Sequence, residues 1–127
     1  NEKSLIFKTA FPNEKIILSL DSLKTYRIFE NLLMNIGKYA LENTRVYIDI
    51  DNSDDEVTIT FKNISADEIK VSEDELVERF VQGDTSRNTS GSGLGLAIAK
   101  SFTELQKGNF KISVDGDLFK ASVTFKK

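Results

Sequence analysis

Three glycines alternate with other residues just before an apolar, helix-forming stretch. Gly91, Gly93 and Gly95 belong to the sequence GSGLGLAIAK at residues 91–100. Glycine lets the backbone approach a ligand closely, and the first N–H groups of a following helix are unpaired and lie at its positive end. This combination is typical of a phosphate-binding loop. The segment does not end in Gly-Lys-Ser/Thr, so it is not a Walker A loop. Taken alone, it is also consistent with a flexible loop before an ordinary helix.

A second polar cluster belongs to an amphipathic helix predicted over residues 22–42. Its apolar residues recur at steps of three and four: Ile28, Phe29, Leu32, Leu33, Ile36 and Ala40. Beside this stripe, Asn31, Asn35 and Lys38 are spaced by four and three and therefore share one face. Asparagine is a poor helix former. The face is either a solvated polar surface or a metal–phosphate site, because amide oxygens suit Mg²⁺ and lysine suits phosphate.

Both clusters, and a segment between them, resemble motifs of one protein family. Residues 31–39, NLLMNIGKY, resemble the N box of sensor histidine kinases, and residues 91–96, GSGLGL, resemble their G2 box. The segment ERFVQGD at 78–84, with Arg87, resembles the F box and the start of the ATP lid. The motifs follow the family's order and spacing across nearly the whole chain. The resemblance implies the catalytic ATP-binding domain of a two-component kinase, with the GHKL (Bergerat) fold of type II topoisomerases, Hsp90 and MutL.

The resemblance implies that the N-box residues bind Mg-ATP. Asn35 matches the asparagine that coordinates Mg²⁺ between the ATP phosphates, and Asn31 matches the first N-box asparagine, which faces the same site. Related ATPases have at the Asn31 position a glutamate that activates water. Since an amide cannot be that base, we expect slow hydrolysis and transfer of the phosphoryl group to a protein. Lys38 matches a lysine that contacts phosphate. Glu30 is rotated about 100° away and is expected to be a surface or packing residue.

Further nucleotide contacts are implied for the other motifs. Tyr39 matches an aromatic residue near the adenine and ribose, although a plain core position explains it as well. The glycines of the G2 motif would bring N–H groups to the phosphates, and its leucines would line the core and the pocket wall: Gly91, Gly93, Gly95, Leu94 and Leu96. Arg87 in the lid is expected to neutralise charge on the transferring γ-phosphoryl group. Arg79 is the alternative, and either arginine could instead pair with a surface carboxylate.

The chain departs from the family at the G1 box, Asp-x-Gly-x-Gly. Residues 62–67 read KNISAD, so both glycines are missing and Asn63 stands where an aspartate usually accepts a hydrogen bond from adenine. An amide oxygen can accept the same bond, but it is a weaker, neutral acceptor. Asp67 is a displaced alternative. The change bears on adenine selectivity and affinity rather than on the fold.

Composition agrees with one ATP-binding domain over residues 1–127. Charged residues make up 29% of the 127 residues and the formal net charge is −3, without a basic run, so a nucleic-acid partner is not expected. The chain has no cysteine, which excludes disulfides and thiol catalysis. No apolar run approaches membrane-spanning length. The chain has no histidine either, so the phosphoacceptor histidine must belong to another domain.

The expected molecule is therefore a kinase fragment, cytoplasmic and monomeric, attached to a membrane only through other parts of its parent. Its expected partners are ATP, Mg²⁺, the dimerisation domain that carries the phosphoacceptor histidine and, indirectly, a response regulator. Two alternatives remain open. One is a degenerate pseudokinase or nucleotide-sensing domain, and the other is a serine-directed kinase similar to anti-sigma factors or a GHKL hydrolase.

Periodicity predicts the elements that position these residues. Strands are expected at 5–7 and 16–20, joined by a turn at Pro12–Asn13, and then at 45–49 and 57–61. Asp21 or Ser22 is suited to cap the first long helix. A short helix begins with the capping box from Ser72 to Glu75.

The predicted C-terminal half completes a two-layer α/β sandwich. A polar, mobile loop is expected at 82–92, followed by a helix at 94–106 that ends at Gly108. A closing hairpin joins strands at 110–114 and 118–125 around Asp115–Gly116. The helices are expected to pack on one face of a mixed, mostly antiparallel sheet.

Overall fold

The structure, a computed structural model, describes residues 4–66 and 95–127. Within these ranges the chain forms two helices and five strands, and two strands follow each helix: β1 Ile6–Ala10, α1 Ser22–Tyr39, β2 Arg45–Asn52, β3 Glu56–Ile64, α2 Gly95–Leu105, β4 Asn109–Asp115 and β5 Leu118–Lys126. The five strands form one sheet in the order β1-β2-β3-β5-β4. β1 pairs with β2 in parallel, and the other neighbours are antiparallel. The predicted two-layer sandwich with a mixed, mostly antiparallel sheet is confirmed.

The core lies between the helices and one face of the sheet. Side chains of β5 alternate across the sheet, and every second one is buried beneath the helices: Phe119, Ala121, Val123 and Phe125. The opposite face is polar, with Thr58 and Thr124 hydroxyls 3.0 Å apart and Thr60 and Ser122 hydroxyls 3.3 Å apart. One apolar and one polar face explain why the strands show period-two patterns.

Helix α1 buries one stripe and begins at a polar cap. Ile28, Leu32 and Ile36 repeat at intervals of four and are its buried residues. Asp21 is the N-cap, and its carboxylate accepts a hydrogen bond of 3.0 Å from the Lys24 N–H. The helix ends at Tyr39, three residues earlier than predicted, because Ala40 is extended and pairs with Ser65 in an isolated β-bridge.

The cap predicts an acid-sensitive step in the stability of α1. The hydrogen bond from the Lys24 N–H holds the pKa of Asp21 below its ordinary value. A carboxyl whose pKa is lower in the folded than in the unfolded state stabilises the fold above its unfolded pKa, and this contribution is lost as the pH falls through the folded pKa. Urea unfolding of Asp21→Asn should therefore show a shallower acid dependence than the wild type, since asparagine also caps without titrating. Equal acid dependence of the two proteins would contradict this role.

The predicted strand at 16–20 is wrong. These residues are irregular, and β1 pairs in parallel with β2 instead of forming a hairpin through Pro12–Asn13. Their burial nevertheless alternates, since Leu18 and Leu20 pack against the core while Ile17 is 77% exposed. The alternation therefore reflects packing of every second side chain against the core, without ladder hydrogen bonds.

The end of α2 also differs from the prediction. The helix ends at Leu105, and the residue in the left-handed conformation is Lys107, with φ +64°, rather than Gly108. The Lys107 N–H bonds the Glu104 carbonyl at 2.9 Å and the Gly108 N–H bonds the Thr103 carbonyl at 2.9 Å. This is the Schellman pattern with lysine in the position that glycine usually occupies. Gly108 is required for a different reason, its contact with β5.

Candidate functional site

The two helices lie side by side and antiparallel. At one end, Gln106 after α2 accepts hydrogen bonds from the Asp21 N–H at 2.7 Å and the Thr25 hydroxyl at 3.4 Å. At the other end, Gly95 at the start of α2 lies so close to Asn31 that a Cβ on Gly95 would be 3.4 Å from Asn31 Oδ1. The positive N-terminal end of α2 therefore lies at the level of Asn31 on α1.

The polar face of α1 continues from this contact towards the C-terminus of the helix. Asn31, Asn35, Lys38 and Tyr39 are all half-buried. Asn35 lies about 6 Å further along the helix axis than Asn31, and Lys38 about 4.5 Å beyond Asn35, at 1.5 Å per residue. The Lys38 ammonium is 5.3 Å from the centre of the Tyr39 ring. An anion at the start of α2 would therefore have the Asn31 amide beside it, and the Asn35 amide and the Lys38 ammonium would lie further along the same face of α1.

The Asn31 side chain is held in place by its own helix. Its Nδ2 donates a hydrogen bond of 2.8 Å to the Arg27 carbonyl, which leaves Oδ1 on the side of Gly95. Arg27 also forms an ion pair of 2.7 Å with Glu30. This contact agrees with the expectation that Glu30 is a surface residue. Arg27 was not among the residues singled out from the sequence, although the spacing of three residues between Arg27 and Glu30 is a signal for such a pair.

Asn63 is buried at the end of β3. It is 3% exposed, and its Oδ1 has no hydrogen-bond partner among the described residues. The β3 residues Val57, Phe61 and Asn63 are the buried ones and share the face that turns towards the helices. Leaving a buried acceptor unbonded costs about 1–3 kcal/mol, so such an atom in a folded protein requires an explanation. A ligand that donates a hydrogen bond provides one.

Two backbone hydrogen bonds bring the end of β3 to the end of α1. The Leu41 N–H bonds the Ile64 carbonyl at 2.8 Å, and the Ala66 N–H bonds the Tyr39 carbonyl at 2.8 Å. Asn63 immediately precedes this junction, and the bridge between Ala40 and Ser65 lies within it. Asn63, Lys38 and Tyr39 are therefore at the same end of the sandwich.

The structure describes only part of the predicted site. Leu96 is 1% exposed and belongs to the core, while Gly95 contacts Asn31. The predictions for Arg79, Arg87, Gly91, Gly93 and Leu94 lie outside the described residues, as do Asp67, the short helix and the lid. Within residues 4–66 and 95–127, no group of three acidic or other metal-ligating side chains could hold a metal ion. Neither described helix is both long and apolar enough to cross a membrane.

Curated relatives match most of this chain but only a small part of their own length. The sensor histidine kinase HprS of Escherichia coli is 33% identical over 110 residues, which are 86% of this chain and 23% of HprS. The sensor protein VanS of Enterococcus faecium is 38% identical over 92 residues, which are 68% of this chain and 23% of VanS. The chain thus corresponds to about a quarter of each relative.

Solved structures show the same fold. The nucleotide-free catalytic domain of the histidine kinase ThkA has a TM-score of 0.79 and 20% identity, and the match covers 99% of this chain and 82% of that domain. Residues 20–127 match the family model described as histidine kinase-, DNA gyrase B-, and HSP90-like ATPase. The chain therefore belongs to the family of histidine kinase-, DNA gyrase B- and HSP90-like ATPases.

Proposed function

We propose that this chain is the catalytic ATP-binding domain of a two-component sensor histidine kinase. It binds Mg-ATP and transfers the γ-phosphoryl group to a histidine on a separate dimerisation domain. The proposal is carried by the contact between Gly95 and Asn31, because it places the N-terminal end of α2 beside the polar face of α1. Such a helix end, with unpaired N–H groups and a positive dipole, suits a chain of phosphates.

In the proposed site the phosphates lie at the start of α2, beside Asn35 and Lys38. Since the described residues offer no acidic metal cluster, Mg²⁺ would be held mainly by the phosphates and by the Asn35 amide oxygen, as is usual for this ion. The metal would neutralise charge that develops on the phosphate oxygens. Lys38 donates to a phosphate oxygen, and the glycine motif at 91–95 adds backbone N–H groups.

Transfer breaks the bond between the γ-phosphorus and the bridging oxygen and forms a bond from phosphorus to an imidazole nitrogen of the partner domain. The Asn31 amide cannot accept a proton from water, and its Nδ2 is already bonded to the Arg27 carbonyl. The bound nucleotide is therefore preserved for transfer, and Arg87 is the residue proposed to neutralise the transferring group. A response regulator then receives the phosphoryl group. We place the domain in the cytoplasm as a monomer, attached to a membrane only through other parts of its parent.

The proposal is tested by calorimetric titration of the 127-residue domain with ATP, with and without Mg²⁺, followed by transfer of a γ-labelled phosphate. The acceptor is the dimerisation domain of the parent kinase, with its histidine replaced by alanine as the control. We expect Mg²⁺-dependent binding and labelling of the acceptor only when its histidine is present. Absence of ATP binding, or label on a serine, would overturn the proposal.

A further inference from the structure

The Asn63 amide carries two hydrogen-bonding groups of opposite character. Oδ1 accepts and Nδ2 donates, and a rotation of 180° about the bond from Cβ to Cγ exchanges their positions. Oδ1 has no partner among residues 4–66 and 95–127, so no donor in this part of the chain holds Oδ1 in its position. A carboxylate, which only accepts, has no such second orientation.

The residues around Asn63 suit a flat aromatic heterocycle. Phe119 lies directly opposite on β5 and is buried, and Phe61 precedes Asn63 on the same face of β3. Tyr39 is half-buried at the junction with α1. A heterocycle whose edge faces Asn63 would meet apolar neighbours and one polar group that can both donate and accept.

We propose that Asn63 reads the edge of a purine with both ends of its amide and accepts 6-amino and 6-oxo purine nucleotides alike. This inference rests on the proposed nucleotide-binding function. With adenine, Oδ1 accepts from the 6-amino group and Nδ2 donates to N1. With hypoxanthine, the rotated amide donates from Nδ2 to the 6-oxo oxygen and accepts at Oδ1 from the N1 hydrogen. Both bases make two hydrogen bonds, so neither leaves the buried amide unbonded.

The inference is tested with three nucleotides in the presence of Mg²⁺. ATP and ITP have complementary groups at positions 6 and 1, and ITP lacks the 2-amino group of GTP, which would introduce a separate steric effect. Purine riboside triphosphate has no group at position 6 and can form only the bond to N1. We expect the dissociation constants of ATP and ITP to agree within about fivefold and that of purine riboside triphosphate to be about tenfold higher, as for loss of one bond in a two-bond contact.

Two variants identify the group responsible. Asn63→Leu keeps the branching and the number of side-chain heavy atoms but has no polar atom, and the three nucleotides should bind it with affinities that agree within about threefold. Asn52→Ala is the matched control, because Asn52 Oδ1 is also buried and has no partner in the described part of the chain. Asn52 lies opposite Val57 at the other end of β3, about 20 Å away at 3.3 Å per residue. This control should keep the wild-type order of affinities.

Three outcomes of the nucleotide titrations would contradict the inference, each in a different way. If the wild type prefers ATP over ITP by about a hundredfold or more, the amide is held in one orientation and the inference fails while ATP binding stands. An unchanged order of affinities in Asn63→Leu would assign base reading to another residue. If none of the three nucleotides binds, the proposed function fails as well.

Discussion

Replacing Asn35 by alanine is expected to abolish the effect of Mg²⁺ on ATP binding and to lower phosphotransfer by about two orders of magnitude. Losing one preorganised group that stabilises transition-state charge typically has an effect of this size. The physical reason is specific to this site. The described residues contain no acidic cluster for a metal, so the Asn35 amide oxygen is the protein ligand that we propose for Mg²⁺.

The expected signature of Asn35→Ala is a loss of metal dependence rather than a loss of folding. Asn35 is half-buried and does not belong to the hydrophobic core, so thermal unfolding should change little. Calorimetry with ATP should give the same affinity with and without Mg²⁺. Asn35→Asp, which keeps an oxygen ligand, should retain metal-dependent binding.

Met34→Ala is a matched control on the same turn of α1. Met34 is 56% exposed and is rotated about 100° around the helix from Asn35, so its replacement should leave ATP binding unchanged. If Mg²⁺ strengthened ATP binding to Asn35→Ala as much as to the wild type, the metal would be held elsewhere, and the assignment of Asn35 would be abandoned.

The largest expected effect on stability comes from adding one methyl group to Gly108. A Cβ at this position would be 2.7 Å from the Thr124 carbonyl oxygen and 2.9 Å from Phe125 Cδ1. The carbonyl belongs to β5, and Thr124 is paired with Asn109 of β4, so it cannot move away without disturbing the ladder. We expect Gly108→Ala to lower the free energy of unfolding by about 2 kcal/mol, in the range for overpacked cores. Urea denaturation followed by circular dichroism measures this change.

Three other substitutions distinguish steric overlap from backbone strain. Gly116 has φ +62° but open space around a Cβ, so Gly116→Ala should cost about 1 kcal/mol through strain alone.

Gly37 lies in α1 with no atom within 4 Å of an added Cβ, and Gly37→Ala should stabilise the helix by about 1 kcal/mol. Lys107→Gly should also stabilise, because it relieves a left-handed lysine. Wild-type stability of Gly108→Ala would contradict the contact with β5.

Elements encoded by local periodicity and turn chemistry were predictable from the sequence. The start of α1, its cap at Asp21 and its buried residues Ile28, Leu32 and Ile36 follow from spacing and capping preference, whereas Leu33 of the predicted apolar stripe is 41% exposed. The β4–β5 hairpin follows from two alternating segments around Gly116, whose positive φ suits a tight turn. The motifs at 31–39 and 91–96 were also sufficient to indicate the family, because their residue types and order are properties of the chain itself.

Long-range contacts decided the remaining features. The segment at 16–20 has the alternation of a strand, but a strand also needs a neighbouring edge with which to pair, and alternation does not encode the partner. The same holds for Gly108, whose close neighbour lies in β5. Asn63 could be aligned with a family motif from the sequence. Only the packing of β3 against β5 and α1 determines that its amide is buried and that Oδ1 has no described partner. Burial and hydrogen-bond satisfaction depend on all the surrounding elements at once, so the tertiary structure is needed to determine them.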